Sequence, residues 1–309
     1  MVKVAVSTSS FGVNDPEPQN ILTWAGFEIA LNPLKRTLNE EEVISLAENC
    51  VGLIAGTERL SAEVLRSLPQ LRVISRCGSG LDNIDLPAAC SLDISVFNTP
   101  DAPVRGVVEL VLGLALDLAR YITRQNNELR SGVWTKRMGS LLAEKKMGII
   151  GLGRIGNQVA RVFKSLGCEV AYHDPLVSSD EFAAMALEEL LQWSDCVTLH
   201  CSGRGELLLD AQRLSLLKPS AWVINTARGG LIDEKALFEA LTGSRLAGAA
   251  LDVFQQEPYT GPLSQLDQVI LTPHIGSYAR GVRLEMERQA AQNLVRGLKL
   301  SRGEADGHG

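Results

Sequence analysis

The chain has 309 residues, room for two compact domains, and 45% hydrophobic residues at a mean hydropathy of +0.07 supply apolar material for real cores. No uncharged apolar run approaches the roughly 18 to 20 residues needed to span a bilayer, and the opening MVKVAVS reads as a strand rather than the apolar core of a signal peptide. A net charge of −6, with no Lys/Arg run longer than two residues, lacks the electrostatic footprint of nucleic-acid binding, so the expected partner is a small molecule, with neither nucleic acid nor membrane.

Six cysteines, Cys50, Cys77, Cys90, Cys168, Cys196 and Cys201, are scattered without metal-ligand spacing. Most lie in or beside apolar segments, where a reduced thiol behaves as a small hydrophobe. They are read as reduced, the compartment as cytoplasmic, and no metal is expected.

In chain order, apolar runs at 2–6, 27–31, 51–55, 71–75 and 94–97 read as strands separated by amphipathic helical patterns. That alternation predicts a parallel sheet covered on both faces. After Asn98-Thr99-Pro100, the stretch 107–119 is apolar almost all round and is expected to be a helix buried on every side, leading into a second lobe. There, buried strands are expected at 147–150, 169–172, 196–199, 221–224, 248–251 and 269–271, again in a parallel sheet. A helical periodicity over 280–298 can run back to the first lobe, and the small, charged tail SRGEADGHG is expected to fray.

Gly151-Leu152-Gly153-Arg154-Ile155-Gly156 is a GxGxxG directly after an apolar strand and directly before a helical pattern, the context that makes the motif informative. The first glycine permits the tight turn, the second lets the backbone approach a pyrophosphate, the third packs helix on strand, and the helix N-terminus favours the anion. The next strand ends at Asp174, about twenty residues on, where a carboxylate can accept from the adenosine ribose hydroxyls. Pro175, Leu176, Val177 and Ser178 follow, with no Arg or Lys for a 2′-phosphate, which favours NAD over NADP.

Three later strand ends carry polar turns: 225–230, 252–258 and 272–276. Oxidising an alcohol by hydride loss needs a base for the hydroxyl proton, a cation for the carboxylate and a group that tunes the base. Of four histidines, His308 lies in the tail and His173 and His200 lie at strand ends of the dinucleotide half, which leaves His274 as the base. Glu257 would stabilise its imidazolium, and Arg228 would clamp carboxylate and carbonyl oxygens. The bland alternatives are a surface charge for Arg228 and a turn residue before Pro258 for Glu257.

The motifs GLGRIG, INTARGGLIDEKAL, AGAALDVFQQEP, LTPHIGS, SRCGSGLDNIDL and FNTP, together covering nearly the whole chain, resemble the D-isomer-specific 2-hydroxyacid dehydrogenases, in particular the phosphoglycerate dehydrogenase branch. The resemblance implies two doubly wound α/β domains: a Rossmann-type cofactor domain over 100–274 and a flavodoxin-like, discontinuous substrate domain over 1–99 plus 275–309. It implies His274, Glu257 and Arg228 as the catalytic trio. For NAD it implies Gly151, Gly153, Arg154, Ile155, Gly156, Asp174, His200, Ala227 and Asp252, the last near the nicotinamide. Arg76, Gly78, Ser79 and Gly80 would form a substrate loop, and family members are usually homodimers built around the nucleotide domain. The expected activity is hydride transfer between NAD and C2 of a D-2-hydroxy acid or its 2-keto partner; the alternative is an NAD(H)-binding sensor or corepressor on the same fold.

Two departures stand out. The loop at 200–206 is about two residues shorter than the family's and lacks its His-x-Pro-Leu-Thr pattern. The stretch 101–106 replaces a Ser/Asn-rich segment with one carrying Arg105, which together with Arg76 can bind a phosphate or second carboxylate, or can equally be a surface charge at a helix start.

Overall fold

Strands apolar on both faces, such as Gly52–Ala55 and Trp222–Asn225, must be covered by helices on either side. A computed structural model describes residues 1–202 and 207–301. It divides into two units, Met1–Pro103 with Ser277–Gly309 and Val104–Gly276.

The first unit contains β1 (Val2–Val6), α1 (Glu17–Trp24), β2 (Phe27–Leu31), α2 (Glu40–Ala47), β3 (Gly52–Ala55), α3 (Ala62–Arg66), β4 (Val73–Arg76), α4 (Leu86–Ser91) and β5 (Ser95–Phe97). Its strands pair parallel in the order β2-β1-β3-β4-β5, the doubly wound flavodoxin-like order. One face packs on α2, α3 and α4 through Val43, Val64, Leu65 and Ala89. Asn39, Ser61 and Asp85 cap those helices by accepting from first-turn N–H groups.

The second unit runs through α5 (Val104–Arg120), α6 (Ile122–Arg130), β6 (Lys146–Ile150), α7 (Arg154–Ser165), β7 (Glu169–His173), β8 (Ala183–Ala184), α8 (Leu187–Trp193), β9 (Cys196–Leu199), α9 (Ala211–Leu214), β10 (Trp222–Asn225), α10 (Glu234–Thr242), β11 (Gly248–Leu251) and β12 (Val269–Leu271). Its parallel sheet has the order β12-β11-β10-β9-β6-β7-β8. The order reverses between β6 and β9, and ligands of open α/β sheets bind outside the carboxyl ends of the strands at such a switch point. Alternate residues serve opposite faces: Trp222 and Ile224 pack with α5 and α7, Val223 with α8 and α10.

The chain then returns to the first unit as α11 (Arg280–Ser301), whose Met286, Ala290, Ala291, Leu294 and Leu298 cover the second face of that sheet. The final eight residues of the tail expected to fray lie outside the described residues.

One expectation is corrected. The helix over 107–119 is not buried on every side: α5 turns Val107, Val108, Val111, Leu114 and Leu118 inward while Glu109, Gly113 and Leu116 are exposed. Apolar composition on the outward face had masked the amphipathic geometry. The two-residue edge strand β8 also went unforeseen, since Ala183 and Ala184 carry no strand signal and pair only because β7 offers a free edge.

Candidate functional site

In the second unit, β6 delivers the chain into the glycine turn. Gly151 has φ +90°, and a Cβ there would stand 2.7 Å from the backbone nitrogen of Cys201. At Gly156 a Cβ would stand 1.9 Å from the Gly151 carbonyl oxygen, so helix and turn meet backbone to backbone. At Gly153, by contrast, no atom lies within 4 Å of a Cβ. Gly153 is also the N-cap of α7 and has no side chain to occupy the first-turn N–H groups. An open approach on one glycine and donors with a positive helix end behind it fit a pyrophosphate. Arg154 lies exposed in the first helical turn and Ile155 packs partly on the core.

Asp174 follows β7. Its Oδ2 accepts from Leu152 N–H at 2.7 Å, and Oδ1 from Leu176 N–H at 2.8 Å and Val177 N–H at 3.1 Å. The carboxylate is thus locked against the glycine turn before any ligand arrives. His200 follows β9; its backbone N–H donates to Ile150 O at 2.7 Å, and its Nε2 lies 2.9 Å from Thr198 Oγ1. Burial pushes its pKa down to about 3, so the ring beside Gly156 is neutral. Residues 203–206 of the shortened loop lie outside the described residues.

The turn after β10 carries Ala227 and Arg228. Asn225, 1% exposed, closes it: its Nδ2 donates to Arg228 O at 2.8 Å and its Oδ1 accepts from Ala227 N–H at 3.0 Å. Arg228 Nη1 donates to Ala227 O at 2.6 Å. A Cβ on Gly229 would stand 1.9 Å from the Phe254 carbonyl carbon, so this turn packs directly on the loop that carries Glu257.

His274 and Glu257 meet: Nδ1 lies 2.8 Å from Oε2, with both side chains partly exposed. Glu257 Oε1 accepts from Phe254 N–H at 3.1 Å. Burial raises the Glu257 carboxyl, but the hydrogen bond and charge of His274, the Phe254 N–H and the charge of Arg228 outweigh it and hold the carboxyl below its ordinary range. With Nδ1–H donated to the carboxylate, Nε2 is the nitrogen left to accept a proton. The arrangement offers a base, a carboxylate that orients it and a nearby guanidinium.

In the first unit, Arg76 ends β4 and its Nη1 donates to Cys77 O at 2.9 Å. The guanidinium lies where a Gly78 Cβ would project, 1.0 Å away, so only glycine lets it cross the loop. Thr99 N–H donates to Gly78 O at 2.9 Å and Asn98 Nδ2 to Ser79 O at 2.7 Å, and Ser79 and Gly80 stay partly exposed. Arg105 stands exposed on the first turn of α5, in the second unit.

Sequence reasoning missed Asn98, Asn225 and Thr272. The signal was a polar side chain at the carboxyl end of an apolar strand, where only a specific hydrogen bond makes burial tolerable. Among the described residues no cluster of three or more His, Cys, Asp or Glu is placed to hold a metal ion, and no helix is long and apolar enough to cross a membrane.

Two doubly wound parallel sheets, one with a glycine turn at its switch point, define a dinucleotide-binding α/β protein. The family model for the D-isomer specific 2-hydroxyacid dehydrogenase, NAD binding domain, matches residues 112–276. A D-3-phosphoglycerate dehydrogenase of Methanocaldococcus jannaschii is 38% identical over 86% of this chain and 53% of its own length. One from Pongo abelii is 35% identical over 95% of this chain and 56% of its own. A crystal structure of a Thermus thermophilus protein superposes at TM-score 0.89 with 34% identity, covering 96% of this chain and 97% of that one. The chain belongs to the D-isomer-specific 2-hydroxyacid dehydrogenase family and carries its NAD binding domain. It spans about half the length of the curated relatives it matches.

Proposed function

We propose that the protein is an NAD-dependent oxidoreductase that transfers a hydride between the nicotinamide and C2 of a D-2-hydroxy acid or 2-keto acid. The observation that carries this is the 2.8 Å pair of His274 Nδ1 and Glu257 Oε2, beside a loop packed on the Arg228 turn. In the oxidative direction His274 Nε2 takes the hydroxyl proton while Glu257 stabilises the resulting imidazolium, and Arg228 binds the substrate carboxylate and the oxygen that becomes a carbonyl. When bound, NAD supplies the ring that accepts the hydride; Gly151, Gly153, Gly156, Arg154, Ile155, Asp174, His200, Ala227 and Asp252 are the residues assigned to hold it.

The first unit serves as the substrate domain, with the Arg76–Gly80 loop presenting backbone N–H groups to the carboxylate. Arg76 makes a phosphorylated acid resembling 3-phosphoglycerate the first substrate to try, a choice supported by the names of the relatives. A homodimer built on the second unit is supported by Ile122, Leu129, Val133, Trp134, Met138 and Leu141, six exposed apolar side chains within twenty residues. Six unbridged cysteines support a cytoplasmic setting.

The test is NADH oxidation and NAD reduction, followed by absorbance, over a panel of 2-keto and 2-hydroxy acids with and without a phosphate. Turnover is expected, and His274→Ala is expected to lower kcat by about 10² or more. NADH binding without turnover of any acid would instead support a sensor.

A further inference from the structure

The structure assigns Asp252 a second role, as the positioning residue that holds the His274 turn in its working shape. This rests on the proposed function for its kinetic consequence, though not for its geometry. Asp252 follows β11, is 1% exposed and has no cationic partner among the ion pairs of the described residues. Its negative charge is met by three donors of one turn instead. Oδ1 accepts from Thr272 Oγ1 at 2.6 Å and from Ile275 N–H at 2.8 Å, and Oδ2 accepts from Gly276 N–H at 2.8 Å. These donors lie on both sides of His274 in sequence, so one carboxylate clamps the segment before and after the proposed base.

The clamp is needed because His274 has φ +54°, the left-handed region that a side chain with a Cβ rarely adopts unprompted. His274 N–H donates to Thr272 O at 3.0 Å, which tightens the turn around Pro273 but leaves its far side to Asp252. There the fit is close: a Cβ on Gly276 would lie 3.2 Å from Oδ2 and 3.2 Å from Val107 Cγ2. With the turn in this form Nδ1 reaches Glu257 and Nε2 is left for the proton.

A carboxylate is required rather than an amide. Two oxygens facing three donors have acceptor sites on both sides, whereas asparagine would point its own NH₂ at one of those donors and lose that bond. The turn fills three of the acceptor sites of Asp252, which leaves a fourth for a cofactor amide. A role confined to cofactor binding predicts no change at His274 when no cofactor is present, whereas the positioning role predicts one.

Three readings of Asp252→Asn separate them: thermal unfolding, NADH affinity by fluorescence titration, and the side-chain nitrogen signals of His274 by NMR, assigned with His274→Ala. The expected result is a folded variant whose His274 ring has lost its Nδ1 hydrogen-bond signature in the absence of NADH, with kcat at least about tenfold lower at saturating NADH whatever the change in NADH affinity. Should the variant fail to fold, Thr272→Val removes one donor, leaves the carboxylate intact and is expected to shift the His274 signals the same way by a smaller amount. Unchanged His274 signals in the folded variant without NADH, whatever its NADH affinity, would overturn the inference. The ring signals are read without substrate, so a protein that turns over no acid still tests the positioning role.

Discussion

Gly153 and Gly156 sit three residues apart in one turn, yet a methyl group on each acts on a different quantity. At Gly153, φ is −66° and no atom lies within 4 Å of an added Cβ, so alanine is sterically free. Reduced unfolded-state entropy contributes about 0.4 to 1 kcal/mol, offset by a similar loss of N-cap preference, which leaves stability within about 1 kcal/mol of the parent. The same methyl fills the space through which a pyrophosphate must approach, and NADH affinity is expected to fall at least about tenfold, or about 1.4 kcal/mol. At Gly156 the added Cβ would lie 1.9 Å from the Gly151 carbonyl oxygen, far inside contact distance, so α7 must move away from β6. Overpacking of this kind costs about 1 to 3 kcal/mol, which in a unit of this size lowers Tm by about 3 to 10 °C. Thermal unfolding and NADH fluorescence titration of Gly153→Ala and Gly156→Ala read the two effects separately. A Gly153→Ala protein that binds NADH as the parent does would refute the assignment of this turn to the pyrophosphate, and a Gly156→Ala protein with unchanged Tm would refute the packing described.

Glu257→Gln keeps an oxygen that can accept from His274 Nδ1 but removes the charge that stabilises an imidazolium; kcat is expected to fall by at least about tenfold with NADH affinity unchanged, and steady-state kinetics check it. His200 carries an acid-sensitivity prediction. Its folded pKa of about 3 lies below the unfolded value of 6.5, so between the two the unfolded state binds the extra proton and stability falls as pH drops. The slope reaches at most about 1.4 kcal/mol per pH unit, less in proportion to the residue's partial exposure. Urea unfolding at pH 7.5 and pH 5 should show this loss in the parent and a flatter dependence in His200→Gln; equal dependence in both would mean the ring is not held neutral. Asp174→Ser removes the charge that opposes a 2′-phosphate, and the ratio of NADPH to NADH affinity is expected to rise at least about tenfold by competitive titration.

Much of this was legible in the sequence because the determinants are local. The apolar runs at 147–150 and 221–224 are short enough to read as covered strands, and a GxGxxG between strand and helix reads as a phosphate-binding turn. Parallel pairing followed from the alternation of strands and helices, and the proposed base from having four histidines to choose among. The register of α5 was harder: Leu116 counts as apolar in a sequence window, and only the packing of the helix on α7 and the sheet decides that it faces outward. Polar contacts lay further out of reach. That Asp174 is tied to the glycine turn through Leu152 and that Gly229 backs onto Phe254 both join residues separated in sequence, whereas Asn225 closes its own turn within three residues. The sequence alone determined which residue types are available and which segments must be buried. Tertiary structure decided which buried polar groups meet, because a hydrogen bond is set by distance and angle between strand ends that the chain brings together only when both sheets have closed over their cores.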